Sequence, residues 1–137
     1  MTEEGTGKPV TADEQLARFL LQRSHLRQDG TVKQDAFIPH PWPELSVTRH
    51  LQLTEKELWS IGQNVAWQTA KTLYGRADVR GSDFQRHRLR VIAARVEGNP
   101  NHANVTGWPT EKPAQKIIAQ QIAAAAGKAH QPPRAPT

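Results

Sequence analysis

The chain has 137 residues, a formal net charge of +5 and no cysteine. Its length suits one ordinary domain, and the lack of cysteine excludes disulfide bonds and zinc-thiolate sites. No apolar run approaches the roughly 20 residues that a membrane-spanning helix needs, and the acidic, polar start is unlike a signal peptide. The composition therefore predicts a soluble, cytoplasmic protein with no membrane partner.

The two ends of the chain carry the weakest folding signals. Residues 1–10 are polar and aperiodic, and residues 128–137 are rich in proline. Neither segment has enough apolar side chains to offset the conformational entropy that folding removes. We expect both segments to be disordered and residues 11–127 to form a single globular domain.

A first helix is predicted from a start signal near the N-terminus. Thr11 and Glu14 have the spacing of a capping box, in which each side chain satisfies a backbone donor at the helix start. A short apolar stripe follows, formed by Leu16, Phe19 and Leu20. The helix should end before the turn-forming residues 29–30.

Two further helices are predicted with clearer patterns. Thr54 and Glu57 repeat the capping-box spacing and precede a long apolar face, which Gly75 should terminate. A last helix should begin near Thr110, carry proline in its first turn, and end at Gly127.

The remaining segments are predicted to be strands and loops. Apolar residues alternate over 32–38 and 45–51, and a third apolar run lies within 88–96. Residues 76–87 and 98–109 are polar or rich in Asn, Gly and Pro, so both should be loops. The order α-β-β-α-β-α predicts an α+β domain in which about three strands carry three helices on one face.

Positive charge is concentrated in one part of the sequence. Residues 71–95 contain seven basic side chains against two acidic ones, so this window carries +5 and the rest of the chain sums to zero. Such a stretch attracts phosphates, nucleic acid or an acidic partner, although a solvated arginine-rich surface is equally compatible with it. The basic residues are Lys71, Arg76, Arg80, Arg86, Arg88, Arg90 and Arg95.

The segment 99–109 is the most unusual in composition, and it leads into the last predicted helix. Helix N-termini bind anions readily, and Asn101, Asn104 and Thr106 could add hydrogen bonds while Trp108 stacks on a base or sugar. The alternative is a structured loop whose polar side chains satisfy its own backbone and whose tryptophan fills the core.

A few titratable residues suggest a catalytic function as a second hypothesis. His102 lies in a polar segment and could act as a general acid or base, with Arg49 or Arg76 stabilising negative charge. The six histidines show no metal-ligand spacing, so no metal or cofactor is expected. Arg76 and Arg80 could bind phosphate, but an ordinary Arg–Asp pair in an exposed loop explains them as well.

Four sequence stretches together resemble a family. They are Ala36-Phe37-Ile38-Pro39, Glu44-Leu45-Ser46-Val47-Thr48-Arg49, Gly75-Arg76-Ala77-Asp78, and Asn101-His102-Ala103-Asn104 with Gly107-Trp108-Pro109. Their order is similar to that in a set of small bacterial proteins of unassigned function. The resemblance implies a bacterial, cytoplasmic protein and carries no catalytic residues with it.

Three functions follow as hypotheses. The leading one is a binding module for a phosphate-bearing ligand, a nucleotide or nucleic acid, that meets segment 99–109 and the last helix, with Arg86, Arg88 and Arg90 supplying charge. The second is a small enzyme acting on a nucleotide-like or phosphoester substrate, which requires His102, an arginine and a carboxylate such as Asp29 in one pocket. The third is a protein-interaction module with an exposed Trp42 as its anchor.

Overall fold

The computed structural model describes residues 7–133, which form five strands and three α-helices. Two short 3-10 turns, Arg23–His25 and Gln34–Phe37, follow the first strand. In chain order the other elements are β1 (Gln15–Leu20), β2 (Leu45–Arg49), α1 (Glu55–Gln68), β3 (Gly75–Arg80), α2 (Gly81–Gln85), β4 (Arg90–Ala93), β5 (His102–Thr106) and α3 (Lys112–Ala126).

The strands form one antiparallel sheet in the order β3-β1-β2-β5-β4. The α+β class is confirmed, but the strand number of about three was wrong because three strands lie in segments that were predicted to be helix or loop. Within residues 7–133, no helix is both long enough and apolar enough to cross a membrane.

The sheet is covered on both faces, not on one as predicted. On one face, α3 and the turn Gln34–Phe37 pack over the larger core, which includes Leu16, Leu20 and Ile122. On the other face, α1 packs its buried side chains on Ala17 and Phe19 of β1. Strand β1 is therefore buried on both sides, as expected for an interior strand of a sheet that is covered on both faces.

The predicted first helix was wrong. Thr11 and Glu14 do bond to each other, because the Thr11 N–H donates to the Glu14 carboxylate, but they form a turn that leads into β1. The apolar residues after them belong to a strand whose two faces are both apolar, and this composition lacks the alternation that identifies a half-buried strand.

Three more predicted segments need correction. Residues 32–38 contain the 3-10 turn Gln34–Phe37 instead of a strand. The predicted loop 76–87 contains most of β3 and all of α2, and the predicted loop 98–109 contains β5. In both strands the polar side chains alternate with buried small residues, so their composition resembled that of a loop.

Four predicted elements are confirmed with shifted ends. Strand β2 lies within 45–51 and β4 within 88–96. Helix α1 begins after Thr54 with the predicted capping box, although it ends at Gln68, before Gly75. Helix α3 has proline in its first turn and ends at Gly127.

Both edges of the sheet are paired with chain-terminal segments, which corrects part of the predicted disorder. Residues 7–10 run beside β4, where the Gly7 N–H donates to the Ala93 carbonyl and Val10 is buried. At the other edge, His130 exchanges two backbone hydrogen bonds with Arg76 of β3. Edge strands are thereby protected from pairing with other chains. Residues 1–6 and 134–137 lie outside the described residues.

Candidate functional site

Arg76 is the centre of a buried ion cluster. Its side chain is only 2% exposed, and its guanidinium donates to both carboxylate oxygens of Glu55, at 2.8 and 2.9 Å, and to Asp78 at 3.0 to 3.2 Å. The same guanidinium lies 4.8 Å from the ring centroid of Trp59. Arg76 is therefore held by two carboxylates and a tryptophan. The Arg–Asp pair foreseen as the alternative is present, but it lies on the buried strand β3 and not in an exposed loop.

Asp78 joins two histidines to this cluster. The Nε2 atom of His50 lies 2.9 Å from one carboxylate oxygen, and that of His130 lies 3.2 Å from the other. Burial alone would raise the pKa of Asp78, but hydrogen bonds from His50 and Arg76 outweigh it and lower that pKa from its usual 3.8. The cluster thus fastens the C-terminal segment to β3 and offers no free positive charge to a phosphate.

A shallow apolar groove of about 750 Å³ adjoins this cluster. Trp59 and neighbouring α1 side chains line one side of it, and Gln131 and Pro133 line the other. The acidic side chain of Glu55 lies at its rim and is already bound to Arg76. The lining includes one cation, Lys56, together with the carboxylate of Glu55, so the groove is not strongly positive.

The other predicted arginines are scattered over the molecule. Arg49 forms a two-point ion pair with Glu14, at 2.8 and 3.0 Å, and Arg86 pairs with Asp83 at 3.2 Å. Arg80 is exposed at the end of β3, close to α2. The structure does not gather these three side chains with segment 99–109.

The start of segment 99–109 is a structured part of the fold, as the structural alternative expected. The Asn99 side-chain oxygen accepts from the Asn101 N–H of the segment itself, while the side-chain amides of both residues donate to β2. Buried Asn99 donates to the Thr48 hydroxyl at 2.8 Å, and the Asn101 amide donates to the Arg49 carbonyl at 2.9 Å. Trp108 is buried and donates its indole N–H to the Val105 carbonyl. Asn101 and Trp108 are thus fixed by the fold, and Trp108 has no exposed ring face for stacking.

Strand β5 brings the remaining predicted residues onto one face of the sheet. His102, Asn104 and Thr106 alternate with the buried Ala103 and Val105, so they point away from the α3 side of the sheet. The register places Thr106 opposite exposed Arg90 of β4. Three predicted ligand-binding residues, Asn104, Thr106 and Arg90, therefore share one face with His102, the predicted catalytic residue. Arg88 is exposed two residues before Arg90.

The residues that the enzyme hypothesis needs do not meet. His102 donates from Nδ1 to the Ala94 carbonyl at 2.7 Å and lines a cavity of only about 60 Å³ under α1. Arg49 and Arg76 are each held by the carboxylates described above, and Asp29 accepts hydrogen bonds from Thr31 in an exposed turn. The constellation proposed for catalysis is not assembled.

A more open pocket lies beside the first turn of α3. It has a volume of about 210 Å³ and is lined by Pro39, Pro41, Trp42, Pro43, Thr110, Lys112 and Gln115; we call it the Trp42 pocket. Within residues 7–133, no side chain caps the N-terminus of α3, whose N-cap residue is Glu111. The first-turn N–H groups of Lys112 and Ala114 therefore lack intrahelical acceptors, and the Glu111 carboxylate partly offsets the positive charge of Lys112. Lys112 lies at the pocket and donates to the Pro39 carbonyl at 3.2 Å.

Gln115 supplies the least expected feature of this pocket. The residue is 4% exposed, and its amide nitrogen donates to the Pro109 carbonyl at 2.7 Å. Its carbonyl oxygen Oε1 is buried and has no donor among the described residues. A buried acceptor left unpaired costs about 1–3 kcal/mol, and a hydrogen-bond donor on a bound molecule would remove this cost if the side chain turned its oxygen toward the pocket.

Trp42 forms the outer wall of the pocket and is 73% exposed. Sequence analysis identified Trp42 as a possible anchor but not Lys112 or Gln115, because ordinary helix residues give no signal of an uncapped first turn or an unpaired amide. Among residues 7–133, no group of three or more His, Asp or Glu side chains is arranged to hold a metal ion.

Comparisons with known proteins found no match for this chain. No protein-family model, curated protein or solved structure matches it. The resemblance to small bacterial proteins of unassigned function stays an expectation, and the function must be argued from the geometry.

Proposed function

We propose that the protein is a binding module for a nucleotide-like ligand, one that carries a flat ring and a phosphate, in the Trp42 pocket. The observation that carries this proposal is the buried, unpaired Oε1 of Gln115 at a pocket that also holds an uncapped helix N-terminus. These features together match a ligand that has both a hydrogen-bond donor and a negative charge.

The phosphate would lie against the first turn of α3. Unpaired backbone N–H groups and the positive end of the helix dipole favour an anion at this position. The Lys112 ammonium has three N–H donors, and only one is needed for the Pro39 carbonyl. The helix start and Lys112 therefore provide the electrostatic part of binding, which added salt should weaken.

The ring would stack on Trp42 and donate to Gln115. An exposed indole face adds about 1–3 kcal/mol per stacked base in single-strand binding proteins, and the Gln115 Oε1 atom accepts from a ring N–H or an exocyclic amine. Typical small-molecule pockets have about 300–1,000 Å³, so this pocket of about 210 Å³ should enclose only part of a nucleotide.

Tryptophan fluorescence tests this proposal directly. Trp67 is 80% exposed on α1 and serves as the matched control for Trp42. In a Trp67→Phe background, adding mononucleotides should quench the fluorescence of Trp42 saturably. Isothermal titration calorimetry, which needs no tryptophan reporter, should show that Trp42→Ala weakens binding about 5- to 150-fold, the equivalent of about 1–3 kcal/mol.

The Trp67→Ala control shows whether the loss of affinity is specific to Trp42. Trp67→Ala should bind mononucleotides with unchanged affinity, because Trp67 lies on α1 and outside the pocket. If Trp42→Ala and Trp67→Ala bound equally well, or if no mononucleotide bound to the unmodified protein, the proposal would be wrong.

A second candidate function uses the same side chain. A tryptophan as exposed as Trp42 is the type of residue that anchors protein–protein interfaces, and the adjacent prolines make its loop stiff. A defined protein partner that binds the unmodified chain but not Trp42→Ala, together with no response to mononucleotides, would favour this function over the first.

A further inference from the structure

We infer that the natural ligand is a single-stranded nucleic acid, which extends from the Trp42 pocket across an uncovered part of the sheet. This inference rests on the proposed function and names the class of ligand for that site. The surface is formed by five residues of three adjacent strands, and we call it the open face: Ser46, Arg90, Ile92, Asn104 and Thr106.

The strand register places these residues side by side. Asn104 of β5 lies between Ser46 of β2 and Ile92 of β4. Thr106 of β5 lies opposite Arg90 of β4. Neighbouring strands are about 4.8 Å apart, so the row of three residues spans about 10 Å across the sheet.

Among residues 7–133, no helix covers the open face, although helix α1 lies on the same side of the sheet. The buried residues of α1 pack on Ala17 and Phe19 of β1. Toward β2 and β5, α1 extends to the small cavity lined by Val65, Thr48 and His102, which Ser46 also borders. Ser46 and Arg90 are exposed, and the other three residues are half-buried.

The chemistry of the open face suits a polyanion. None of its five residues is acidic, while Arg88 and Arg90 are exposed and form no ion pair within residues 7–133. Arginine binds phosphate through two parallel N–H donors, the hydroxyls of Ser46 and Thr106 donate to phosphate oxygens, and the Asn104 amide can both donate to and accept from a base edge. Glu44 lies just before β2, so its negative charge limits the positively charged region at the β2 side of the open face.

The open face and the Trp42 pocket lie at the same end of the sheet but on opposite sides of it, because the pocket lies beside α3 and the open face lies on the α1 side. The ligand must therefore pass round the end of β2. Leu45 at the start of β2 pairs with Val105 near the end of β5. Trp42 lies four residues before Ser46, in the segment that leads into β2. Four residues span at most about 14 Å. A short oligonucleotide can therefore reach from one to the other, whereas a mononucleotide cannot.

A single strand fits this arrangement better than a duplex. Stacking on Trp42 requires an unpaired ring, which single strands offer and duplexes do not. The open face itself consists of strand residues and carries no helix or hairpin among the described residues that would enter a groove of a duplex.

The test compares labelled octanucleotides with mononucleotides by fluorescence anisotropy. Oligothymidylate and oligouridylate octamers should bind at least tenfold more tightly than thymidine or uridine monophosphate. Each of Arg88→Gln and Arg90→Gln should reduce the slope of log K against log salt by about 0.7, the value for one phosphate contact with a single strand, and leave mononucleotide affinity unchanged. The deoxy and ribo octamers together show whether the strand is DNA or RNA.

Lys56→Gln is the matched control, because Lys56 is an exposed cation on α1 outside both surfaces. If Arg88→Gln and Arg90→Gln changed the salt slope no more than Lys56→Gln does, the inference would fail. If octamers bound no better than mononucleotides, the inference would also be overturned, but the Trp42 pocket would remain a mononucleotide site. If octamers bound, Arg90→Gln reduced their salt slope and no mononucleotide bound, the open face would be supported and the Trp42 pocket would be excluded as a ligand site. No binding of either probe would overturn both.

Discussion

At the scale of single residues, the clearest lesson concerns Arg76. It lies in the most basic stretch of the sequence, yet its charge is used internally, because Glu55 and Asp78 occupy its donors and Trp59 covers its face. An arginine in such a cluster contributes little to the external field. We propose that exposed arginines such as Arg88 and Arg90 attract phosphate instead.

Removing the Arg76 side chain should therefore damage stability and not ligand binding. Arg76→Ala leaves Asp78 largely buried without its cation, and breaking a buried ion pair by removing one partner costs about 3–5 kcal/mol. Urea unfolding followed by circular dichroism should show this loss. Arg88→Ala is the control and should change the free energy of unfolding by less than about 0.5 kcal/mol. Equal midpoints for the two variants would contradict the role assigned to Arg76.

Asp78 makes a separate prediction about pH. Its pKa is lowered in the folded protein, because hydrogen bonds from His50 and Arg76 overcome the effect of burial. A lowered pKa stabilises the fold above the usual value of 3.8, and this stabilisation is lost as the pH falls through and below that value. The stability difference between the unmodified chain and Asp78→Asn should therefore shrink below pH 3.8. Urea unfolding at neutral and acidic pH measures it, and a constant difference would refute the linkage.

At the scale of elements, the sequence predicted those whose periodicity is complete. Helix α1 has a capping box and one apolar face, and β2 alternates cleanly, so both were found. Strand β1 was mistaken for a helix because Ala17 and Phe19 face α1 while Leu16 and Leu20 face the other side. When a strand is buried on both faces, apolar residues no longer alternate with polar ones, so the pattern that identifies a half-buried strand is lost.

Strands β3 and β5 were missed for a different reason. Arg76 and Asp78 sit on β3 as a satisfied ion cluster, and only the tertiary structure reveals the partners that permit buried charges there. In β5 the polar alternation of His102, Asn104 and Thr106 was present but was masked by the turn-forming residues on either side. Local patterns cannot identify partners that are distant in the chain.

The pairing of β3 with the C-terminal segment depends on Gly75. A Cβ atom at this position would lie 2.6 Å from the His130 carbonyl oxygen, so Gly75→Ala should separate the two segments. Amide hydrogen exchange should then become at least tenfold faster at Arg76, whose N–H donates to that oxygen. Thr72→Ala, an exposed change just before β3, should leave this exchange rate unchanged. Unchanged exchange in Gly75→Ala would show that the contact relaxes without opening the pairing.

At the scale of the whole molecule, chain-terminal segments pair with both sheet edges. Ligand binding is assigned to one end of the sheet, where α3 begins, and to the open face beside it. The sequence indicated the last helix's N-terminus and several open-face residues, including Asn104, Thr106 and Arg90. It could not distinguish which tryptophan is exposed, because Trp42 and Trp108 both lie beside proline in polar segments, and burial of Trp108 is decided by tertiary packing.

The central claim is that a phosphate-bearing ring compound binds at the start of α3, and an amide NMR titration with mononucleotides tests it most directly. The account predicts saturable shifts at Trp42, Glu44, Lys112, Ala114 and Gln115, with little change along the groove beside Trp59. Saturable shifts confined to that groove, or no shifts beyond those caused by an equal amount of salt, would contradict it.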